Sequence, residues 1–297
     1  MAARTKATGG GGATATRAPT SQPTASTSGI LRPDLLARHV DVRRWACGPG
    51  VERWVENHWS LRWDLPDGTA FPSQTLPHPT CSLTLEVGDH TRDGLPPGEV
   101  LLVTGVVTRR FDVEVRGRGR VAGVRFRPGG LAALTNGPAR DWTDAVVPAS
   151  DVLPDELCAV LSDPALAEDP ERWAAAAEDG LVALDPGPDE HHDLLLAVCA
   201  TMLADHDLLT VTDVAARFAT SARTLQRLFL DLVGVGPKWV LARYRMHDAV
   251  AELDAGFDGT LADLAHRWGW YDQAHFTRDF TALVGVTPAQ YRDRPRA

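Results

Sequence analysis

Apolar and polar residues alternate in several short stretches of the N-terminal half, which is the spacing of β-strands with one buried face. This alternation runs over residues 59–65, 81–87, 111–115 and 124–127. The glycines of Gly117–Gly119 lie between the last two stretches and predict a hairpin turn there. A continuous apolar run over residues 100–107 fits a more buried strand. Residues 30–127 are therefore predicted to form a small β barrel or sandwich.

Beyond residue 128 the apolar spacing becomes helical, and prolines separate the segments. Helices are predicted at about 129–136, 151–162, 170–183 and 190–204. A Pro- and Gly-rich linker over residues 185–189 divides the chain. We expect an α+β protein of two domains. The N-terminal domain spans 30–185, with a β part at 30–127 and a helical part at 128–185, and an all-α domain spans 190–297.

Composition limits the class of protein. The 297 residues are 44% apolar and 23% charged, with a net charge of −9, which is typical of a soluble globular protein and not of a wholly basic nucleic-acid binder. Residues 1–29 contain no acid and little to bury, so a disordered tail is expected. Four scattered cysteines, with no CxxC spacing, and no apolar leader or membrane-length run predict a cytoplasmic protein without membrane contact.

An internal repeat is the most informative feature of the C-terminal third. Residues 212–237 resemble residues 262–288, first at a separation of 50 and then of 51. One extra residue is therefore expected in the turn of the second copy. Each copy reads as a helix, a tight turn and a second helix with an apolar face at spacings of three and four. We predict two helix-turn-helix units, at 211–234 and 261–285.

A long helix is predicted between the two units, over residues 237–254. At 1.5 Å per residue it would be roughly 27 Å long. Together with its flanking turns it could set two recognition helices about one DNA turn apart, roughly 34 Å.

The polar faces of the second helices carry the candidate DNA contacts. Arg can bond bidentately to guanine and Gln to adenine in the major groove. In the first unit, the candidates at this second helix are Ser221, Arg223, Thr224, Gln226 and Arg227. In the second unit, they are Tyr271, Asp272, Gln273, His275, Thr277 and Arg278. In a lone helix these would be read as an ordinary solvated face, but the doubled motif favours DNA contact.

Positive charge is concentrated on the first unit and the helix after it. Residues 211–247 contain six basic and two acidic side chains, a net charge of +4. The second unit is near neutral, and Asp279 places an acid beside its polar face. We therefore expect the first unit to bind DNA more strongly.

The motifs SARTLQRLF with GVGPKWV, and DQAHFTRDF with GVTPAQYR, resemble the DNA-binding domain of the AraC/XylS family of bacterial transcription regulators. The resemblance covers about a third of the chain. In the N-terminal half, VENHWSLRWDLP, LPHPTCSLTLEVG and VAGVRFRPGGLAAL resemble a sensor-type domain of actinobacterial AraC-like regulators. That second resemblance implies a cupin-like β fold with a regulatory role, and names no ligand.

Aromatic and imidazole side chains are the candidate effector site of the N-terminal domain. They are Trp45, Trp54, His58, Trp59, Trp63 and His78. The alternative is that they form an ordinary core with surface imidazoles. The histidines are scattered, with no HxH pair, so neither a metal, a cofactor nor catalysis is expected.

These observations predict a sequence-specific DNA-binding transcription regulator. Its expected partners are double-stranded promoter DNA, a small-molecule effector, RNA polymerase if the chain is an activator, and a second copy in a homodimer. Two alternatives remain: a cupin-like enzyme in the N-terminal domain, and an interaction module that does not bind DNA.

Overall fold

The computed structural model describes residues 22–25, 29–31, 33–91, 100–163 and 165–294. The strands are β1 (Ile30–Leu31), β2 (Val40–Trp45), β3 (Val55–Asp64), β4 (Ala70–Thr75), β5 (Ser82–Thr91), β6 (Leu101–Thr104), β7 (Phe111–Phe126) and β8 (Val146–Pro148). The helices are α1 (Pro33–Leu36), α2 (Gly130–Thr135), α3 (Asp155–Leu161), α4 (Pro170–Leu184), α5 (Glu190–Ala204), α6 (Val211–Arg217), α7 (Ala222–Leu232), α8 (Pro237–Asp254), α9 (Leu261–Arg267), α10 (Gln273–Val284) and α11 (Pro288–Arg292).

All eight strands belong to one antiparallel sheet, with β7 at its centre. One edge of β7 pairs with β4 and then with β3, while its other edge pairs with β5. Strands β6 and β8 extend the sheet beyond β5, and β2 extends it beyond β3. The predicted α+β organisation, a sheet-rich N-terminal domain followed by an all-α region, is confirmed.

The hairpin predicted at Gly117–Gly119 is wrong, because β7 continues through these residues as one strand of 16 residues. At Gly117 the backbone adopts φ 47°, which a glycine tolerates, and there β7 changes partner from β4 to β3. At Gly119 the glycine makes room for a neighbour, because a Cβ there would lie 2.1 Å from Cζ2 of Trp63. Gly117 therefore allows the change of pairing within the strand, and Gly119 allows the close contact with Trp63.

The sheet has two different faces. On one face, Leu83 and Leu85 of β5 join Val124 and Phe126 of β7 in the main hydrophobic core. Helices α2, α3, α4 and α5 contribute to the same core. The opposite face was expected to be solvated, yet Thr84 and Glu86 are only 3% and 6% exposed. Both faces of the sheet are therefore covered or enclosed at the middle of β5.

The main core does not stop at the end of the N-terminal domain. Trp173 of α4, Leu195 of α5 and Phe229 of α7 belong to the cluster that contains Phe126. The second helix-turn-helix unit has its own cluster around Phe276 and Phe280, which also takes in Leu31 and Leu76 of the N-terminal domain. Both units thus pack against the sheet domain, the first much more extensively.

Most of the predicted disordered tail, residues 1–21 and 26–28, lies outside the described residues. For residues 22–25 the expectation is wrong, because Thr24 and Ala25 are only 2% and 3% exposed. The Oγ1 of Thr24 donates a hydrogen bond to Oε2 of Glu56 at 2.6 Å, and the hydroxyl of Tyr244 in α8 donates to the carbonyl oxygen of Thr24. This short segment joins the two domains through polar atoms that composition alone did not reveal.

Candidate nucleic-acid interface

The first helix-turn-helix unit consists of α6 and α7, and both helices begin at a side-chain cap. Thr210 and Asp213 form a reciprocal capping box at the start of α6. The Oγ of Ser221 accepts a hydrogen bond from the backbone N–H of Thr224 at 3.0 Å and so starts α7. Leu225, Leu228 and Phe229 bury the inner face of α7, which leaves its outer face in solvent.

Two arginines on α7 are available for a ligand. Arg223 and Arg227 are exposed, and neither forms an ion pair or a side-chain hydrogen bond within the part of the chain that the structure describes. The exposed Gln226 lies beside the next turn, since a Cβ at Gly236 would be 2.9 Å from its Nε2. Ser221 and Thr224 also bond to each other, Oγ to Oγ1, at 2.8 Å. The five predicted side chains therefore occupy the first turns of α7, with two of them engaged in its cap.

The second unit, α9 and α10, repeats this construction. Thr260 and Asp263 form a capping box at the equivalent positions, 50 residues after Thr210 and Asp213. Asp272 accepts a hydrogen bond from the backbone N–H of His275 at 2.7 Å and starts α10. The repeated caps show that the sequence repeat is also a structural repeat.

The turns of the two units differ in length. Four residues separate α6 from α7, and five separate α9 from α10. The residue that follows the C-cap is in the left-handed region in both units, at φ 47° for Ala219 and φ 83° for Gly269. A glycine adopts this conformation without the steric penalty that an alanine bears. The first unit therefore holds a strained residue where the second does not.

Exposed side chains of α10 form the second candidate surface for DNA contact. Gln273, Thr277 and Arg278 line one shallow surface depression, and Tyr271 in the preceding turn is 88% exposed. His275 is partly engaged, because its Nε2 lies 3.2 Å from Oδ2 of Asp279.

Asp279 forms a hydrogen bond within the second unit. Its Oδ2 accepts a hydrogen bond from Nε1 of Trp270 at 3.0 Å, which ties α10 to the turn before it. Together with its contact to His275, this hydrogen bond accounts for an acidic residue beside a face expected to meet phosphates.

The positive charge counted over residues 211–247 is only partly at the surface. The side chain of Arg245 is 3% exposed, and its Nη2 donates hydrogen bonds to the carbonyl oxygens of Asp205 and Leu208 at 2.7 and 3.0 Å. Arg243 lies over the ring of Trp239, and burial lowers its pKa to about 10. Removing these two leaves Arg217, Arg223, Arg227 and Lys238 as the electropositive surface of the first unit.

The N-terminal domain forms hydrogen bonds at the C-terminal ends of α7 and α10, the two candidate recognition helices, which are called the reading helices below. Beyond the C-terminus of α7, the Oγ1 of Thr143 donates a hydrogen bond to the carbonyl oxygen of Gly234 at 3.2 Å. At the C-terminus of α10, Nη1 of Arg110 donates to the carbonyl oxygen of Val284 at 3.1 Å. The N-terminal turns, which carry the candidate base contacts, are left uncovered. Sequence reasoning missed Arg110 and Thr143, which no local pattern distinguishes.

The six predicted effector residues do not share one pocket, contrary to expectation. Trp59, Trp63 and His78 line a cavity on the sheet face opposite the main core. Trp54 instead belongs to the main core, and Nε2 of His58 lies 2.6 Å from Oε1 of Glu178 in α4. Trp45 pairs with His58 across β2 and β3, so it shares that helix-covered side. The strand period explains the division, because residues 58 and 59 point to opposite faces.

Two further observations concern the described residues alone. No cluster of three or more His, Cys, Asp or Glu side chains within them has the arrangement of a metal site. No helix among them combines the length and the apolar character needed to cross a membrane.

Comparison with known proteins gives two family matches. Residues 44–148 match a domain of unknown function (DUF6597), and residues 214–294 match a helix-turn-helix domain. A relative from Streptomyces lividans, described as an AraC-like transcription regulator, is 36% identical over 86 residues, 29% of this chain. An HTH-type transcriptional regulator of Mycobacterium tuberculosis is 34% identical over 82 residues, 28% of this chain. The matched stretches span 28% and 31% of these two relatives.

Solved structures include similar chains. The C-terminal domain of AraT, a response regulator from Geobacillus stearothermophilus, is 24% identical with a TM-score of 0.30, covering 34% of this chain and 87% of that one. ToxT from Vibrio cholerae is 10% identical with a TM-score of 0.39, covering 85% of this chain and 97% of that one. Together, the repeat, the capped helix pairs and the family matches show that this chain carries an AraC-type helix-turn-helix domain at residues 214–294, behind a DUF6597 domain.

Proposed function

We propose that this chain is a sequence-specific transcription regulator that binds promoter DNA through α7 and α10, under the influence of its N-terminal domain. The observation that carries the proposal is the pair of capped helices whose N-terminal turns present Arg223, Arg227, Gln273 and Arg278 to solvent. Residues at the N-terminal turns of a recognition helix contact base edges in the major groove. The hydrogen bonds from Thr143 and Arg110 support the regulatory part, because they connect both reading helices to the sheet domain.

The proposal has finer parts. The first unit contributes more of the affinity, since Arg223 and Arg227 form no ion pair with a described residue, whereas His275 of the second unit is paired with Asp279. The chain acts in the cytoplasm as a homodimer, and in the activating mode it contacts RNA polymerase. A small-molecule effector bound in the N-terminal domain changes the affinity for DNA.

Selection of bound fragments from random DNA by the full chain, at about 150 mM salt, tests the proposal. We expect an enriched motif of two short boxes about 10 to 11 base pairs apart, which matches one turn of B-DNA. Affinity for that motif is expected to fall steeply with salt, because phosphate contacts release counterions. Binding without any enriched motif, or binding that is insensitive to salt, would contradict the proposal and favour an interaction module of another kind.

The enzyme alternative predicts a different result. A cupin-like enzyme in the N-terminal domain would require a metal, so metal analysis of the purified full chain separates the two functions. One equivalent of bound transition metal would favour catalysis, whereas its absence together with an enriched DNA motif favours the regulator.

A further inference from the structure

A cavity of about 200 Å³ lies on the face of the sheet opposite the main core. Residues of strands β1 to β7 contribute to its walls. Trp59, Leu61 and Trp63 of β3 stand between residues of β2 and β7 that also line it. The volume is below the roughly 300 to 1,000 Å³ of sites for drug-sized ligands, so any occupant is small.

Two glycines shape the apolar wall. A Cβ at Gly123 would lie 2.4 Å from Cε2 of Trp59, and a Cβ at Gly119 would lie 2.1 Å from Cζ2 of Trp63. Real side chains do not approach so closely, so each indole occupies space that any other residue on β7 would fill. The Nε1 of Trp59 is buried without a hydrogen-bond partner among the described residues.

A charged side chain enters this apolar space near Trp59. Arg125 lies two residues beyond Gly123 on β7, and therefore on the same face. The period that buries Val124 and Phe126 in the main core directs Arg125 into the cavity. Its Nε is buried and has no hydrogen-bond partner, and its guanidinium forms no ion pair within the described part of the chain.

The electrostatic surroundings of Arg125 favour an anion. Burial first, and then the neighbouring positive charge of Arg44, lower the pKa of Arg125 to about 10, against a weaker opposing effect of Glu56. Arg44 also lines the cavity. The acidic lining residue Glu86 accepts a hydrogen bond from Oγ1 of Thr84 at 2.7 Å. Ser82 stands opposite Arg125 in the register, and Glu86 lies four residues further along β5, at a Cα separation of roughly 13 Å from Ser82.

We propose that this cavity binds a small organic acid, with its carboxylate on the guanidinium of Arg125 and its apolar body between Trp59 and Trp63. A buried arginine without a partner is unfavourable, and a carboxylate matches its planar set of donors. Ser82, directly opposite Arg125, and the indole N–H of Trp59 offer further donors at the same end. The assignment deepens the proposed function and rests on it only in naming this acid as the effector.

The cavity also has a direct connection to the DNA-binding region. The lining residue His78 places its ring 4.3 Å, centroid to centroid, from the ring of His247 in α8. The charge of Arg125 is among those that act on His247. An anion at Arg125 therefore changes the environment of the helix between the two reading units.

Calorimetry on the full chain without DNA tests the assignment. The probes are two pairs of matched size: 3-phenylpropionate with 3-phenylpropan-1-ol, and octanoate with octan-1-ol. We expect at least one acid to bind at least tenfold more tightly than its alcohol, with quenching or enhancement of tryptophan fluorescence. Failure of both acids to bind at millimolar concentration, or equal affinity for acid and alcohol, would overturn the proposal.

Variants locate the anion. Arg125→Gln is expected to remove the preference for the acid while leaving alcohol binding within about twofold. Arg125→Lys, which keeps the charge, should retain part of the preference for the acid. This variant provides the test if Arg125→Gln does not fold. Arg62→Gln on β3 is the control, because Arg62 is exposed, lies outside the cavity and should leave both affinities unchanged. Retention of the full preference in folded Arg125→Gln would overturn the assignment. Since no DNA is present, failure here is distinct from failure to bind an operator.

Discussion

The Nε2 of His247 donates a hydrogen bond, 3.0 Å long, to the carbonyl oxygen of Pro77. His247 belongs to α8, between the two reading units, and Pro77 lies in the segment that closes one end of the cavity. The contact therefore joins the part of the sheet domain that lines the cavity to the helix that spaces the two units.

The burial of His247 makes the free energy of unfolding sensitive to acid. Burial, with smaller contributions from Arg243 and Arg125, lowers the pKa of His247 to about 3, against the opposing effect of the hydrogen bond to Pro77. Burial, and then Arg53, lower that of His192 to about 4. In the unfolded chain both protonate near pH 6.5. The unfolded state therefore binds more protons between these values, so stability is complete above pH 6.5 and is lost progressively as the pH falls towards 4 and 3.

We expect each histidine to account for about 2 kcal/mol of the stability lost between pH 7 and pH 5. Urea denaturation at the two pH values measures the change. His247→Gln keeps a donor for Pro77 and cannot take up a proton in this range, so it should reduce the pH dependence. His266→Gln, at an exposed position, is the matched control and should leave it unaltered. Equal pH dependence in both variants would show that His247 is not a source of the acid sensitivity.

Because the two turns differ at one position, exchanging alanine and glycine there should change the free energy of unfolding in opposite directions in the two units. Ala219 carries φ 47° and Gly269 carries φ 83° at corresponding positions. Ala219→Gly relieves the strain and is expected to raise the free energy of unfolding by about 0.5 to 1 kcal/mol. Gly269→Ala introduces the strain and should lower it by about 1 kcal/mol, the more so because its Cβ would lie 3.1 Å from Cδ2 of Leu209. Thermal unfolding of both variants checks the pair, and changes of the same sign would contradict the explanation.

Arg227 is predicted to contact a base. Arg227→Ala should relax specificity at one position of the selected motif and weaken binding by about 1 to 3 kcal/mol. Competition against single-base variants of the motif measures this effect. Arg62→Ala, exposed on the sheet domain, is the control for a lost positive charge. A uniform loss over all sequences would instead identify Arg227 as a phosphate contact, and unchanged binding would exclude it from the interface.

The segment at residues 22–25 is predicted to stabilise the fold through Tyr244. The hydroxyl of Tyr244 is buried and donates to the carbonyl oxygen of Thr24, so Tyr244→Phe leaves a buried acceptor without this donor. We expect a loss of about 1 to 3 kcal/mol in urea denaturation. Tyr271→Phe removes the same atom from a side chain that is 88% exposed and should have no measurable effect. Similar stabilities for the two variants would show that the contact contributes little.

Local signals in the sequence predicted much of the helical architecture. The apolar spacing of α7 and α10 predicted helices that the structure contains. The extra residue in the second turn also followed from the change in repeat separation from 50 to 51. These features depend on neighbours within a few positions, which is why a single sequence can reveal them.

Long-range pairing was not predictable in the same way. The glycines at 117 and 119 have the composition of a turn, and only the pairing of β7 with both β4 and β3 shows why they lie within a strand. Alternation placed Arg125 on the face opposite Val124, but it could not show that this face encloses a cavity. The division of Trp54 from Trp59 between core and cavity likewise depends on what packs against each side of the sheet.

The continuous core that contains Phe126, Trp173 and Phe229 limits how this protein can be rearranged. A cut at the linker over residues 185–189 would expose apolar side chains of the core on both fragments. Leu131 and Leu134 would face water on the N-terminal fragment, and Leu195 and Leu225 on the C-terminal fragment. Grafting the reading units onto a different sensor would require the new sensor to reproduce the surface around Leu131 and Leu134. Recombination at the linker is therefore disfavoured, and the sensor and the first reading unit are expected to change together during evolution.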